Sequence, residues 1–276
     1  MRDRTVVLAL ALVMAPPAVA APALQIRGAA ARVFIVPEAR TDIRIVVLHA
    51  DPRLPLKVHA SGGRVLVTGD VGRRVHRCVG PGQGRGVEVW GRGQIAWDAL
   101  PVLVAHTPPD VRVSVGDAVF GAIGRSASVD FTNQGCGDWV IANVRGRLRL
   151  DQAGAGVSRA GASAGANLSV AGSGSIATGP VHGALTAVSR GSGNIDVAQV
   201  AGPVDVRVAG TGDVDIAAGR ASRMDVSIAG SGNVRMVGEA ASLTASVTGT
   251  GDVLVGAVTG KVVKQVFGSG QVKIGP

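Results

Sequence analysis

Small and β-branched apolar residues recur at every second position through the C-terminal part of the chain, with charged or hydroxylic residues between them. Val204, Val206 and Val208 alternate with Asp205 and Arg207, and Val214 and Ile216 flank Asp215. A period of two marks strands with one buried face. The pattern returns in Met224, Val226, Ile228, Val234 and Met236, and again in Leu243, Ala245, Val247, Val253 and Val255. Between the paired strands stands a Gly-x-Gly signal, written six times with its first glycine at 172, 191, 210, 230, 249 and 268. That spacing of 19 or 20 residues is too short for a repeat containing a long helix. Each repeat therefore reads as one coil of an all-β parallel β-helix, right-handed by the general preference, with like positions stacked about 4.8 Å apart.

Earlier coils are degenerate but keep register. Gly154-Ala155-Gly156, Gly135-Cys136-Gly137 and Gly116-Asp117 fall on the same period, which places Trp139 and Ile141 where Ile195 and Val197 fall later. The rhythm is absent from 21–107, although 31–36, 42–48, 56–60 and 64–68 read as short strands, the last two joined through Ser61-Gly62-Gly63. This division gives a β-rich capping region over 21–107 and a solenoid domain over 108–276, with the cap covering strand edges that would otherwise invite aggregation. At the other end Lys264 occupies an inward position, with Lys261 and Lys273 nearby, and charge there guards against edge pairing. No stretch carries helical periodicity and caps.

The glycines of each signal (Gly191 and Gly193, Gly210 and Gly212, Gly230 and Gly232, Gly249 and Gly251, Gly268 and Gly270) are expected to turn tight corners with positive φ. The hydroxyls between them, such as Ser192, Thr211, Ser231 and Thr250, are expected to hydrogen-bond to one another along the axis. After the second glycine, Asn194, Asp213, Asn233 and Asp252 alternate amide with carboxylate, which keeps like charges two coils apart.

Composition narrows the function. Four Phe, three Trp and no Tyr beside 41 Gly describe narrow stacked layers, not a large cofactor pocket, and no cofactor is expected. Arg2 and Arg4, the apolar stretch 6–15 and Ala18-Val19-Ala20 read as a secretory signal over 1–20, cleaved near Ala20, and no later run has transmembrane length. In an oxidising compartment the two cysteines, Cys78 and Cys136, are expected to pair, with two buried free thiols as the alternative. The formal charge of +9 favours acidic partners, though it equally serves solubility.

Candidate chemistry is sparse. Gly-x-Gly-x-Asp invites a calcium reading near Asp213 and Asp215, but the carboxylate offset continues as Arg235 and Leu254, so no metal site is assigned. Gly82-Gln83-Gly84-Arg85-Gly86 lacks the features of a phosphate loop, and Gly161-Ala162-Ser163-Ala164-Gly165 lacks the helix a nucleophile elbow requires, with His182 the one later histidine. Outward Asp196, Asp215 and Asp225 are the only carboxylates that could serve a polysaccharide lyase or hydrolase. Two basic clusters remain as anion-binding candidates: Arg145, Arg147 and Arg149 on one strand, and Arg73, Arg74 and Arg77 before Cys78, which a Cys78–Cys136 bridge would draw together. No aromatic residue is placed on these faces to stack bases or sugars, which argues against nucleic acid as a partner.

The recurring Gly-Ser-Gly-Asn-Ile of 191–195, Gly-Ser-Gly-Asn-Val of 230–234 and Gly-Thr-Gly-Asp-Val of 210–214 and 249–253 resemble the head GIN domain family of auto-transporter adhesins. The resemblance covers about 111–274 strongly and 24–74 more loosely. It implies an exported bacterial β-helical protein and carries over no catalytic residue. The resulting expectation is a non-enzymatic structural or binding module in the periplasm or at the cell surface. Its partner would be an acidic envelope polymer or another envelope protein, with homo-oligomers through the solenoid ends as a further possibility and a polysaccharide-active enzyme as the alternative.

Overall fold

The computed structural model describes residues 22–80 and 85–275. The expected signal over 1–20 and its cleavage near Ala20 lie outside them. The chain winds into a β-solenoid of about nine turns with about 19 residues per coil. Each coil presents one long strand (face A), a glycine corner, a second strand (face B) and a short third stretch (face C). Face A holds Asp110–Val115, Ser128–Asn133 and Arg147–Gln152 and ends in Leu243–Gly249 and Val262–Gly268. Face B begins with Ala118–Ile123 and Trp139–Ile141 and ends in Val253–Val258 and Val272–Ile274. On face C, Val181 pairs with Val200 and Ala221 with Ala240.

All pairings along the coils are parallel, and register holds like residues in columns. On face A one inward column runs Val113, Phe131, Leu150, Leu168, Ala187, Val206, Val226, Ala245, Lys264. On face B another runs Trp139, Ser158, Ile176, Ile195, Val214, Val234, Val253, Val272. Residues of both faces meet in one continuous core. Trp139 fits this narrow interior because Gly121, its neighbour one rung earlier, leaves the space: a β-carbon there would lie 2.6 Å from the indole. The indole N–H donates to the Val119 carbonyl at 2.8 Å, so the largest core side chain buries no unpaired donor.

The corners depart from expectation in two respects. Positive φ is confined to the first glycine of the later signals, for example +144° at Gly230 and +128° at Gly249. The second glycine is required by crowding instead. A β-carbon on Gly212 would lie 2.2 Å from the Gly193 carbonyl oxygen, and one on Gly251 2.1 Å from that of Gly232. The hydroxyls of Ser192, Thr211, Ser231 and Thr250 face solvent, and no hydrogen bond joins them to one another among the described residues. The axial ladder is carried one step further along. Asn194 Oδ1 accepts the backbone N–H of Asp213 at 3.0 Å, Asp213 Oδ1 that of Asn233 at 2.7 Å, Asn233 Oδ1 that of Asp252 at 3.0 Å, and Asp252 Oδ1 that of Gln271 at 2.8 Å. The Asn and Asp side chains thus satisfy backbone donors that the corner leaves unpaired.

Residues 22–107 supply rungs as well as cover. Ala23–Arg27 lies on face A between Arg64–Thr68 and Asp110–Val115, in register with both, and Ala30–Pro37 lies on face B between Val102–Thr107 and Ala118–Ile123. Two antiparallel strands close this end: Lys57–Ser61 on Arg64–Thr68, through the Gly62-Gly63 turn, and Arg44–His49 on Val102–Thr107. Between Arg64–Thr68 and Val102–Thr107 the chain makes a separate antiparallel sheet of Val75–Val79, Gly86–Val89 and Gly93–Ala96. Its apolar face, with Val87, Val89 and Ile95, packs on Ala30, Ala118 and Phe120 on the outside of the solenoid. Helix is limited, among the described residues, to the 3-10 turns Gly72–Arg74 and Trp97–Ala99.

Candidate binding surface

Cys78 is disulfide-bonded to Cys136. The bond ties the first strand of the small sheet to the Gly135-Cys136-Gly137 corner, and by the chain-entropy model a loop of this size contributes about 4 kcal/mol. A groove lies beside it, lined by Arg73, His76, Arg77, Gln134 and the bridge itself. Its floor is held from below by buried polar residues. Asn133 donates to the Gly137 carbonyl at 2.9 Å and to Gln152 Oε1 at 3.2 Å, its own Oδ1 accepts the Gly135 N–H at 3.0 Å, and Ser158 donates to Gln152 Oε1 at 2.8 Å. These bonds fix the corner without adding a side chain to the groove.

The six arginines expected to bind anions are not equivalent. Arg74 pairs with Asp70 and Arg77 with Glu88 at 2.8 Å. Arg149 is flanked by Asp151 at 2.9 Å and Asp130 at 3.7 Å. Arg73, Arg145 and Arg147 have no carboxylate partner among the described residues and are exposed. Nor do the two clusters share a groove. Arg73 and Arg77 sit at the corner that leads into face B, whereas Arg145 and Arg147 stand at the opposite end of the face A strand. Arg145 is joined by a residue not singled out from sequence, Arg125, in a shallow groove that also contains Asn143 and Glu38. Glu38 is occupied by Arg40 at 2.8 Å and by His106 at 3.3 Å, and these partners hold its carboxyl below the usual range. Arg125 could have been found only from its register one coil before Asn143, where the repeat is degenerate.

The expectation that no aromatic residue accompanies the basic clusters is corrected. Trp90, 66% exposed, meets the His76 ring edge-on at 5.4 Å, and its backbone N–H donates to the Arg74 carbonyl at 2.8 Å. The hairpin that brings Val89 opposite Val75 makes this contact, across a sequence gap that periodicity does not span. Trp97, by contrast, is covered by the Arg85 guanidinium at 3.5 Å and abuts Phe120.

The carboxylates considered for hydrolysis do not converge. Asp196 and Asp215 are ladder neighbours on face B, while Asp225 stands on face A, paired to Arg223 at 2.7 Å. Burial, and then the charge of Asp215, raise the Asp196 pKa above the usual carboxylate range. Ser163 is buried in the core and His182 is exposed, so they form no nucleophile and base pair. Asp213 Oδ1 already accepts two hydrogen bonds from Asn233, and no group of three or more metal-ligating side chains occurs among the described residues. The phosphate-loop candidate falls partly on 81–84, outside the described residues.

This geometry, a β-solenoid with regularly stacked Gly-x-Gly corners and no convergent acids, agrees with what the comparisons return. Residues 166–275 match the family "Putative auto-transporter adhesin, head GIN domain". The head GIN match covers the six most regular signals and leaves out the small sheet, its disulfide and both groups of unpaired arginines. No curated protein and no solved structure matches the chain. No helix among the described residues is long and apolar enough to cross a membrane.

Proposed function

We propose that the protein is a non-enzymatic binding module of the cell envelope, exported by its N-terminal signal, that engages an acidic envelope component through guanidinium groups beside its solenoid coils. The adhesin description attached to residues 166–275 and the presence of a disulfide support an envelope or extracellular setting. The observation that carries the reading is the flank where Arg125 and Arg145 share a groove on adjacent coils and Arg147 lines a second, none with a carboxylate partner among the described residues, while Arg149 on the strand of Arg147 is neutralised. Exposed guanidinium groups left free of internal partners are available to bidentate acceptors on a ligand.

The test is capture from an envelope extract by the full chain. Arg125→Ala, Arg145→Ala and Arg147→Ala together should lower capture of the acidic component at least tenfold, whereas Arg149→Ala should leave it unchanged. Capture that is equally insensitive to all four substitutions would overturn the reading.

A further inference from the structure

The groove beside the disulfide carries chemistry that the arginine flank does not. Of the three tryptophans, Trp139 is in the core and Trp97 is covered by Arg85, but Trp90 stands 66% exposed. Its indole is open to solvent, so a ring face is accessible to a ligand. A groove of about 540 Å³ is lined by His76, and the indole stands just outside that lining, meeting the His76 ring at 5.4 Å. In the groove lining Arg73 has no carboxylate partner among the described residues, whereas Glu88 takes Arg77 and Arg74 lies 3.6 Å from Asp70, whose carboxylate is held by Arg92. Gln134 adds an exposed amide across the groove. The one carboxylate in the lining, Asp117, is turned to accept the Gly28 N–H at 2.6 Å.

We propose that this groove binds a uronic-acid unit of an acidic polysaccharide. An exposed indole offers a flat apolar face to the C–H side of a pyranose ring, and a free guanidinium takes a carboxylate in bidentate fashion. A sugar acid presents both on one ring. The imidazole of His76 and the Gln134 amide supply donors and acceptors for hydroxyl groups along the groove. The disulfide and the Asn133–Gln152 bonds beneath it hold the two walls in place, so the site is formed before the ligand arrives. A free cation in the lining with an exposed indole beyond His76 favours an anionic sugar over a neutral one, and over a phosphate chain that has no ring face to stack.

This inference rests on the proposed envelope-binding role and names the ligand class for a second place on the molecule. The test titrates the full chain with hexamers of galacturonate and of mannuronate, following tryptophan emission and heat. Binding of at least one hexamer with a blue shift of emission is expected. Trp90→Ala should abolish the shift, and both Trp90→Ala and Arg73→Ala should weaken affinity at least tenfold. The methyl ester of the hexamer should bind at least tenfold more weakly, and Arg149→Ala, whose guanidinium is already paired with Asp151, should change affinity less than twofold. Failure of both hexamers to bind at millimolar concentration overturns the uronate site, and continued Arg145-dependent envelope capture would then leave the proposed function standing. Binding that ignores Trp90 and is matched by polyphosphate, or that follows Arg145 and Arg147 instead, overturns it as well, because charge alone would account for the result. Trp90 and Arg73 are exposed, so unchanged circular dichroism of each variant separates lost binding from lost folding.

Discussion

The Lys264 ammonium donates a 2.9 Å hydrogen bond to the carbonyl oxygen of Val272. Lys264 ends the inward column of face A and Val272 belongs to the last strand of face B, so the side chain crosses the open end of the final coil. Val262, Val266 and Ile274 are exposed around it, with no further coil packed on them among the described residues. A charge at this point penalises burial against another sheet edge.

Lys264→Val should therefore promote association instead of dissolving it. Sedimentation velocity at increasing concentration should show larger species for the variant than for the unaltered chain at equal loading. Identical distributions would remove the guarding role from Lys264.

At the glycine corners, Gly212→Ala should destabilise strongly, by about 3 kcal/mol or more, because its β-carbon meets the Gly193 backbone, which cannot move without displacing the preceding coil. The neighbouring Thr211→Ala should change stability by less than about 0.5 kcal/mol, since its hydroxyl is exposed and bonds to no other coil. Chemical denaturation of the two variants compares them directly.

Replacing Cys78 and Cys136 by serine should loosen the small sheet while leaving the distant coils intact. Hydrogen exchange is expected to rise in Val75–Val79, Gly86–Val89 and Gly93–Ala96 and to stay unchanged in Leu243–Gly249. Uniform acceleration through the solenoid would show that the bridge supports the whole rod.

The Asp196 carboxyl gives a pH dependence of definite sign. Its folded pKa is raised by burial and by Asp215, so the folded state holds a proton that the unfolded chain has already released. Stability from this group is full below the unfolded carboxylate pKa and falls as pH rises through the folded one. Asp196→Asn should raise Tm at pH 7 by about 1 to 3 °C, with the gain disappearing near pH 3. A variant whose advantage grows as the pH is lowered would contradict this account.

The coils were legible in the sequence because alternation and the 19-residue period report the same columns: Val206 over Ala187 and Val214 over Ile195 follow from counting alone. Even degenerate Trp139 fell in its column, since its glycine corner kept register. The reason for the second glycine was not legible, because close approach between coils depends on packing distance and leaves the same residue as a demand for positive φ. Nor was the place of Leu24, whose partners Val65 and Val113 are distant in sequence and set off from it by no common period. The basic clusters were visible as charge, but whether each arginine was free depended on Asp130, Asp151, Asp70 and Glu88, which folding brings beside them. Trp90 is brought beside His76 by a hairpin, beyond the range of any periodic reading.

The strand Ala23–Arg27, wedged between two strands that come later in the chain, makes growth order and spatial order disagree. A polypeptide emerging from its amino end must carry that leading strand with an unmatched side until Asp110–Val115 has followed. The regular coils can add one upon another by local closure, but this end must wait for a distant segment to lock it, and the slowest step of assembly is expected there.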